Sequence, residues 1–448
     1  MINYNQVRDI SIPDKLAIAG AYYEAHEYGQ CEMALSFILD SDPHNRGAIS
    51  LLGALYQRLD RHGMAEMVYR YGLALHQDFV PMWIGLGTAI SSPFRHEEAE
   101  KILKHALVLS PDHTVATTNL AALYVEIGEY EKAIELGKKA LELNPESVSA
   151  KDTIGLASLG LEDFETGWKM NQESLGVKYR KEIIYGDEAR WDGEKDSVVI
   201  VYGEQGIGDE IFYGSVIPDI IRDSKKVIID CDSRLESLFQ RSFPKATVYG
   251  TRGKTAPWLK NHRWYYRSAM ADLSRFYRNK KEDFTGKPFL KADPVRMKQW
   301  EKTFAGRTNI GIAFKGGNKF TNRESRTIPL DIFRPLAKHG VLVSLEYTDY
   351  DYEGFPIEVY DWATQSEDYD NVAAMVSQLD YVVTTCTAIV HLAGGLGIPC
   401  YVLTNKYPGW RYANNMPWYS SVSIIHCDGE WETGMEEVLK LIELRKSA

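Results

Sequence analysis

A repeat of 34 residues is the feature that most constrains the fold of the first third of this chain. Pro111 and Pro145 are 34 residues apart, and Pro43 and Pro111 are twice that. In the same register, three columns hold residues of matched size: Leu52, Leu86 and Leu120; Gly53, Gly87 and Ala121; and Ala65, Ala99 and Ala133. Small residues let two helices cross closely, while large apolar residues fill the groove of the next unit. The pattern therefore predicts a stack of helical hairpins, because one hairpin alone cannot bury its apolar face.

This period is that of tetratricopeptide repeats, in which each unit is a pair of helices. We predict four copies from about residue 10 to Pro145, with Gly128 at the clearest turn, and a less regular fifth around Gly155, Phe164 and Gly167. An ordinary helical bundle is the alternative, but a bundle does not require several columns to agree at one period. The concave surface of such a stack predicts binding of a protein or peptide. Packing residues do not reveal which one.

Composition sets further limits. A chain of 448 residues exceeds one ordinary core, so two or three domains are expected. The formal net charge of -11 disfavours a broad nucleic-acid-binding surface, although a local basic patch is compatible with it. The five cysteines are scattered without a CxxC pair, which favours a reduced, cytoplasmic chain. Neither an apolar signal core nor a run of about 18 apolar residues occurs, so no secretion and no membrane span are predicted.

From about residue 195 the pattern changes to short apolar runs separated by helical stretches. Runs that are apolar on both faces are typical of parallel strands in doubly wound sheets. These runs lie at 197–203, 226–232, 309–314, 341–347, 380–385 and 400–405. A turn and a fresh helix at 287–300 separate them into two sets, which predicts two Rossmann-like lobes with a cleft between them. We therefore divide the chain into a repeat domain at 1–178, a first lobe at 179–292 and a second lobe at 293–448.

Three segments carry residues that could bind a ligand or take part in a reaction. The first is 201–218, VYGEQGIGDEIFYGSVIP. Gly203, Gly206 and Gly208 allow a tight turn from a strand into a helix that opens at Asp209 or Glu210. Such a turn presents backbone N–H groups and one carboxylate at the carboxyl edge of a sheet, where α/β proteins bind ligands. The spacing matches neither a P-loop nor a dinucleotide fingerprint. Taken alone, Asp209 is equally well explained as a helix cap.

The second segment is the loop at 313–330, which carries four cations. These are Lys315, Lys319, Arg323 and Arg326. Guanidinium groups match phosphate oxygens well, so a loop of this kind at a strand end is suited to neutralise a leaving diphosphate. A solvated charged loop is the alternative.

The third segment is 379–399, in which a buried strand runs into Thr385, Cys386, Thr387 and Ala388 at the start of a helix. Free N–H groups and hydroxyls there converge on one point, which suits a diphosphate. His391, one turn into the helix, either faces the ligand or packs in the core. For an isolated histidine, packing in the core is the favoured interpretation. No cluster of acidic, His or Cys residues has metal-ligand spacing, so no metal site is predicted.

Taken together, these segments resemble bacterial tetratricopeptide-repeat glycosyltransferases related to the lipopolysaccharide heptosyltransferases, and more distantly the O-linked N-acetylglucosamine transferases. The likeness rests on GDEARWDGEK and VYGEQGIGDEIFYGSVIP, on KGGNKFTNRESRTIPL, on the segment from MVSQLDYVVTTCTAIV to CYVL, and on PGWRY and MPWY. It implies a fold of the GT-B kind behind the helical solenoid, a nucleotide-sugar donor held by the second lobe, inversion at the anomeric carbon and no cofactor or obligatory metal.

The resemblance also implies roles for individual residues. Asp209 corresponds to the general base, and Gly206 and Gly208 to the glycines of its turn. Residues that would hold the donor are Lys315, Arg323, Arg326, Glu346, Thr385, Thr387, Ala388 and His391. Relatives commonly carry an aspartate where this chain has Cys386.

The sequence therefore predicts a glycosyltransferase that moves a sugar from a nucleotide sugar to an acceptor hydroxyl. The acceptor would be a protein, a glycan or, against the acidic charge balance, a modified DNA base. The alternative is a non-catalytic repeat scaffold whose α/β part binds a nucleotide sugar, a reading that Cys386 favours. A nicotinamide-dependent oxidoreductase would need the GxGxxG spacing, which this turn lacks.

Overall fold

The computed structural model describes residues 10–91, 94–177, 179–252, 254, 256–261, 266–317, 323–347, 350–360, 369–428 and 430–447. The chain consists of two compact units, Met1–Thr153 and Ile154–Ala448. Lys319 of the basic loop lies outside the described residues.

The first unit is built of helical hairpins, which confirms the prediction from the repeat. Its helices are α1 (Ile12–Glu24), α2 (Tyr28–Ser41), α3 (Arg46–Arg58), α4 (His62–Leu75), α5 (Val80–Ala89), α6 (His96–Leu109), α7 (Thr114–Ile127) and α8 (Tyr130–Leu143), and α9 (Val148–Gly160) begins at its end. The column residues Ala65, Ala99 and Ala133 are fully buried. Gly128 ends α7 in the left-handed region, with a φ of 83°, where its N–H bonds to the last turn.

Tyr69 in α4 shows why the repeat needs small residues. A Cβ on Gly53 of α3 would lie 2.5 Å from the Tyr69 ring, and one on Gly85 of α5 would lie 2.3 Å from it. The Tyr69 hydroxyl donates a hydrogen bond to Gln57 at 2.9 Å. The ring is therefore held between the helices of two successive hairpins.

The less regular fifth pair consists of α9 and α10 (Phe164–Asn171). A Cβ on Gly167 would lie 2.6 Å from the Leu159 side chain, so these helices also cross at a glycine. Phe164 and Trp168 belong to the hydrophobic core of the second unit. The indole N–H of Trp168 donates to the carbonyl oxygen of Arg278 at 2.7 Å. This pair thus contributes its aromatic residues to the α/β core.

The second unit continues with a parallel sheet in the order β1-β5-β2-β3-β4, called the first sheet. Its strands are β1 (Ala189–Arg190), β2 (Val198–Tyr202), β3 (Lys226–Asp230), β4 (Thr247–Tyr249) and β5 (Tyr266–Ala269). The helices between them are α11 (Ile207–Gly214), α12 (Ile217–Asp223), α13 (Glu236–Ser242) and, after β5, α14 (Ser274–Tyr277). All of its strand pairs are parallel, as runs that are apolar on both faces predict.

A second parallel sheet follows in the order β11-β10-β9-β6-β7-β8. Its strands are β6 (Asn309–Ala313), β7 (Val341–Ser344), β8 (Ile357–Glu358), β9 (Tyr381–Thr384), β10 (Cys400–Thr404) and β11 (Val422–His426). The accompanying helices are α15 (Pro294–Phe304), α16 (Arg323–Arg326), α17 (Tyr369–Val376), α18 (Ala388–Leu396) and α19 (Trp431–Ser447). The Asp293 side chain caps α15 by accepting from the N–H groups of Val295 and Arg296.

Each of the six predicted apolar runs contains a strand. The sequence did not reveal β1, β4, β5, β8 or β11, which are short or carry polar residues. In β11, for example, Ser423 and His426 are exposed, as expected of a strand at the edge of a sheet. The predicted terminal helix is present as α19, which buries Val438 and Ile442. Among the described helices, none combines the length and apolarity needed to cross a membrane.

Candidate functional site

The three predicted segments lie where the strand order of each sheet reverses. In the first sheet the chain passes from β2 to β3 and β4, then returns to β5 on the other side of β2. In the second sheet it passes from β6 to β7 and β8, then returns to β9 on the other side of β6. The glycine turn follows β2, the basic loop follows β6, and Thr385 follows β9. Ligands of open α/β sheets bind outside the carboxyl ends of the strands at such points.

The glycine turn owes its shape to two close approaches. A Cβ on Gly203 would lie 2.2 Å from the carboxyl carbon of Glu210, so only glycine leaves room for that side chain. The N–H of Gly206 donates to Oδ2 of Asp209 at 3.0 Å. Asp209 therefore does cap the start of α11, with one of its two oxygens.

The other oxygen of Asp209, Oδ1, forms an ion pair with Nη1 of Arg411. Arg411 belongs to the short 3-10 turn Trp410–Tyr412, which follows β10. Burial would raise the pKa of Asp209, but the Arg411 guanidinium and the Gly206 N–H outweigh it and hold the pKa below its ordinary value. Asp209 is consequently an ionised carboxylate at neutral pH.

Glu210 forms a second charged cluster beside Asp209. Its side chain is buried, accepts from the N–H of Asp232 at 2.9 Å and pairs with Nε of Arg252 at 3.0 Å. Arg252 has a φ of 44° and also donates to Asp232 at 3.0 Å. Burial raises the pKa of Glu210 to about 8 in spite of Arg252. Two adjacent carboxyl groups thus have pKa values shifted in opposite directions.

The start of α18 offers unsatisfied polar groups. Thr387 precedes the helix, but its side chain makes no capping hydrogen bond and instead pairs with the Thr384 hydroxyl at 3.2 Å. The hydroxyl of Thr385 is buried and has no hydrogen-bond partner among the described residues. Free N–H groups at a helix start together with an unpaired hydroxyl have affinity for an anion. Burial raises the pKa of the neighbouring Cys386 thiol to about 12, so this thiol is uncharged at neutral pH.

The first and third segments touch each other. A Cβ on Gly208 would lie 3.1 Å from both Cα and Cβ of Ala388, and 3.5 Å from the His391 ring. Gly208 is in the first turn of α11, directly before Asp209, and Ala388 is the first residue of α18. The first turn of α11, which carries Asp209, therefore packs against the first residue of α18.

The basic loop adjoins the third segment. A Cβ on Gly316 would lie 2.8 Å from Cβ of Arg326 and 3.1 Å from Cγ2 of Thr385. The side-chain amide of Asn405, after β10, donates to the carbonyl oxygen of Ser325 at 2.9 Å and so anchors α16. In the described part of the chain, Nε of Arg323 is buried and has no hydrogen-bond partner. Arg326 thus lies beside Thr385, and Arg323 is one turn away on the same short helix.

Glu346 holds the beginning of that loop in place. Its Oε1 accepts from the backbone N–H groups of Phe314 and Lys315 at 2.6 and 2.8 Å. Burial raises the pKa of Glu346, and these two N–H groups oppose that shift. The ammonium group of Lys315 lies 4.3 Å from the centre of the Tyr350 ring, a cation–π contact. Glu346 and Lys315 therefore shape the end of β6 together.

His391 lies behind the helix start, between two tyrosines. Nε2 is 3.1 Å from the hydroxyl of Tyr412, and Nδ1 is 3.4 Å from that of Tyr419. Burial, with a contribution from Arg411, lowers the pKa of His391 to about 3, so the ring is neutral. Within the described ranges, no group of three or more His, Cys, Asp or Glu side chains is arranged to hold a metal ion.

The sequence assigned no role to two polar groups next to the predicted segments, Arg411 and the Glu210 cluster. Both lie in segments that the sequence analysis singles out: Arg411 is part of PGWRY, and Glu210 follows Asp209 directly. What the sequence lacked was a signal that joins Arg411 to Asp209, because 202 residues separate them.

Comparison with known proteins supports the repeat assignment. A family model described as tetratricopeptide repeat matches residues 94–152. Protein FlbA of Caulobacter vibrioides is 29% identical over 281 residues, an alignment that covers 56% of this chain and 47% of that protein. The chain thus spans about half the length of this curated relative.

Two solved structures are similar to part of this chain. MamA is 22% identical, with a TM-score of 0.30 over 37% of this chain and 90% of that one. PilF of Pseudomonas aeruginosa is 19% identical, with a TM-score of 0.34 over 39% of this chain and 79% of that one. Together with the hairpins described above, the family match establishes tetratricopeptide repeats followed by a parallel-sheet α/β part.

Proposed function

We propose that the α/β part is an inverting glycosyltransferase of the GT-B kind, which uses a nucleotide sugar and needs no metal. The observation that carries this proposal is the contact between Gly208 and Ala388, by which the helix turn that carries Asp209 packs against the start of α18. A base and an anion site at one point are what displacement of a diphosphate by a hydroxyl requires.

In the proposed reaction, the acceptor hydroxyl approaches Asp209 while the donor diphosphate lies at the start of α18. The acceptor oxygen forms a bond to the anomeric carbon from the side opposite the leaving group. The bond from that carbon to the phosphate oxygen breaks, and its electron pair leaves with the nucleoside diphosphate. The acceptor proton passes to Asp209. This single displacement inverts the configuration and forms no covalent intermediate.

The leaving diphosphate would be stabilised by three kinds of group. Backbone N–H groups at Ala388 and the Thr385 and Thr387 hydroxyls donate hydrogen bonds to phosphate oxygens. Arg323 and Arg326 supply positive charge, and Lys315 adds a third cation from the end of β6. Each such preorganised donor typically contributes about 10²- to 10³-fold to the rate of a displacement.

The class of acceptor is inferred from the type of reaction and from the net charge of the chain. The proposed acceptor is a hydroxyl of a protein side chain or a glycan, and a DNA base is disfavoured by the net charge of -11. We further propose that the repeat surface binds a protein or peptide, since such stacks present an extended concave surface.

Thermal-shift measurements with a panel of uridine, guanosine, cytidine and adenosine diphosphate or monophosphate sugars test the proposal. A donor at 100 times its Kd should stabilise the protein by about 2.7 kcal/mol. The donor that raises the Tm is then incubated with cell extract, and released nucleotide is measured. Stabilisation with release supports a transferase. Stabilisation without release would instead favour a scaffold that only binds the nucleotide sugar, and no stabilisation by any donor would remove both readings.

A further inference from the structure

We propose that Arg411 is a positioning residue that holds the Asp209 carboxylate in the orientation needed to take the acceptor proton. This inference rests on the proposed function. It assigns a contribution to catalysis to the turn Trp410–Tyr412, which follows β10 of the second sheet and has no part in the reaction described above.

The carboxylate of Asp209 is held at both oxygens. Arg411 pairs with Oδ1, and the N–H of Gly206 donates to Oδ2 at 3.0 Å. Two anchors fix the plane of the carboxylate, whereas the capping bond alone would leave rotation about the side chain. A carboxylate has about four lone-pair sites, so two remain. The Asp209 side chain is 25% exposed, which leaves a path for an acceptor hydroxyl to reach it.

Arg411 is itself held rigidly. Its guanidinium lies 4.7 Å from the centre of the Phe212 ring and 5.3 Å from that of Trp410. Nη2 donates to the hydroxyl of Tyr213 at 3.2 Å. A planar cation packed against two aromatic rings loses little further freedom on pairing, and a lysine ammonium cannot reproduce this arrangement in full.

The pair also joins two halves of the site. Asp209 and Phe212 lie on α11 beside the first sheet, and Arg411 lies in the turn after β10 of the second sheet. The base is therefore oriented only when the segment after β10 is in contact with α11. Donor-binding residues belong to the same sheet as Arg411, so base and donor site share one support.

The groups that face Asp209 determine the pH dependence. They are Arg411 and Tyr412 from the turn, His391 from α18, and Tyr213 from its own helix. Burial raises the pKa of Asp209, and Arg411 is the foremost of the groups that lower it. Removal of the guanidinium should therefore raise the pKa of Asp209, and the acid limb of the rate profile should move to higher pH.

The test compares wild-type protein with Arg411→Gln and Arg411→Lys. Values of kcat and donor KM are measured between pH 5 and pH 9. For Arg411→Gln we expect kcat to fall about 10- to 100-fold, as a misplaced base does, with donor KM changed less than about threefold. Its acid limb should move upward by about one pH unit or more. Arg411→Lys should have a kcat between those of Arg411→Gln and wild-type protein, and its acid limb should lie close to that of wild-type protein.

Arg334→Gln is the matched control, because Arg334 also pairs with an aspartate, Asp331 at 2.8 Å, and lies 4.9 Å from a phenylalanine ring, that of Phe355. It should leave both kcat and the pH profile unchanged. An Arg411→Gln protein with a normal pH profile would overturn the proposal. So would a large rise in donor KM at constant kcat, which would make Arg411 a donor ligand instead.

A readout without turnover separates this inference from the proposed function. In protein labelled with ¹³C at the aspartate carboxyl carbons, the Asp209 signal is assigned by its loss in Asp209→Asn. It should titrate at higher pH in Arg411→Gln than in wild-type protein. Titration at the same pH in both would contradict the role of Arg411 even if no donor is ever turned over. A shifted titration with no turnover on any donor would leave the ion pair in place and reject the transferase.

Discussion

At the scale of single residues, the site is defined by polar groups whose bonding is incomplete or whose charge is displaced. The Thr385 hydroxyl is buried without a partner among the described residues, while Thr384 one position earlier is fully bonded. Buried polar groups are nearly always satisfied in folded proteins. At this helix start, the proposed diphosphate would complete the bonding of the hydroxyl.

Replacement of Thr385 by valine should have opposite effects on stability and on binding. The variant keeps the shape of the side chain and removes an unpaired hydroxyl, so the free energy of unfolding should stay equal or rise by up to about 1 kcal/mol. Affinity for the nucleoside diphosphate should fall about 10-fold or more, the contribution of one hydrogen bond to a charged group. Calorimetric titration and urea unfolding measure the two quantities.

Thr384→Val is the control for that prediction. The Thr384 hydroxyl donates to the carbonyl oxygen of Thr385 at 3.1 Å and pairs with Thr387 at 3.2 Å. Its loss should lower the free energy of unfolding by about 1–2 kcal/mol. If Thr385→Val destabilised the protein as much as Thr384→Val and left binding unchanged, the hydroxyl of Thr385 would be structural.

Glu210 gives a prediction for stability against pH. Its pKa rises from an ordinary 4.5 to about 8 on folding. Between these values the folded state keeps a proton that the unfolded state has lost, so the contribution of Glu210 to stability falls as pH rises. Glu210→Gln cannot lose a proton. The Tm difference between Glu210→Gln and wild-type protein should therefore increase in favour of the variant from pH 5 to pH 8.5.

Thermal unfolding over that pH range checks the trend. Glu142→Gln, at an exposed position of α8, is the control and should track wild-type protein. A Tm difference for Glu210→Gln that does not vary with pH would show that Arg252 keeps Glu210 ionised throughout.

At the scale of elements, glycines set where helices meet. Gly53 and Gly85 admit the Tyr69 ring in the repeats, and Gly208 admits Ala388 at the site. Gly53 could be predicted from sequence, because the 34-residue period aligns it with Gly87 and Ala121. Gly85 could not, because the same period aligns it with Leu51 and Asn119. The contact of Gly208 with Ala388 could not, since it joins elements 180 residues apart, from 208 to 388, with no repeat to relate them.

Gly85→Ala tests the close approach in the repeats. The added Cβ would lie 2.3 Å from the buried Tyr69 ring, so the free energy of unfolding should fall by about 1–3 kcal/mol. Gly20→Ala in α1 is the matched control, because nothing lies within 4 Å of its Cβ position. That change should stabilise the helix by about 0.5–1 kcal/mol. Urea unfolding followed by circular dichroism compares them, and equal stability of the two variants would contradict the packing of Tyr69.

At the scale of the whole molecule, the sequence pattern predicts the architecture, whereas the position of the candidate site depends on the order of the strands in the two sheets. Periods of 34 residues and short apolar runs predicted the repeats and six strands. The strand orders were not readable from sequence, because every run looks equally buried. The reversals at β2 and at β6 place three segments at the switch points of the two sheets, where open α/β sheets generally bind ligands. These segments are 203–209, 314–316 and 385–388. Long-range partners such as Arg411 depend on that packing, so the sequence predicts a role for Asp209 but none for Arg411.

The most direct measurement of the central claim compares wild-type protein with Asp209→Asn on one donor and acceptor. Asparagine keeps the size of the side chain and an oxygen that can accept from Gly206, but it is not a base. We expect the Kd for the donor to stay within about twofold and kcat to fall about 10²- to 10⁴-fold. Unchanged kcat with unchanged Kd would mean that Asp209 takes no proton, and the proposed transferase mechanism would be wrong.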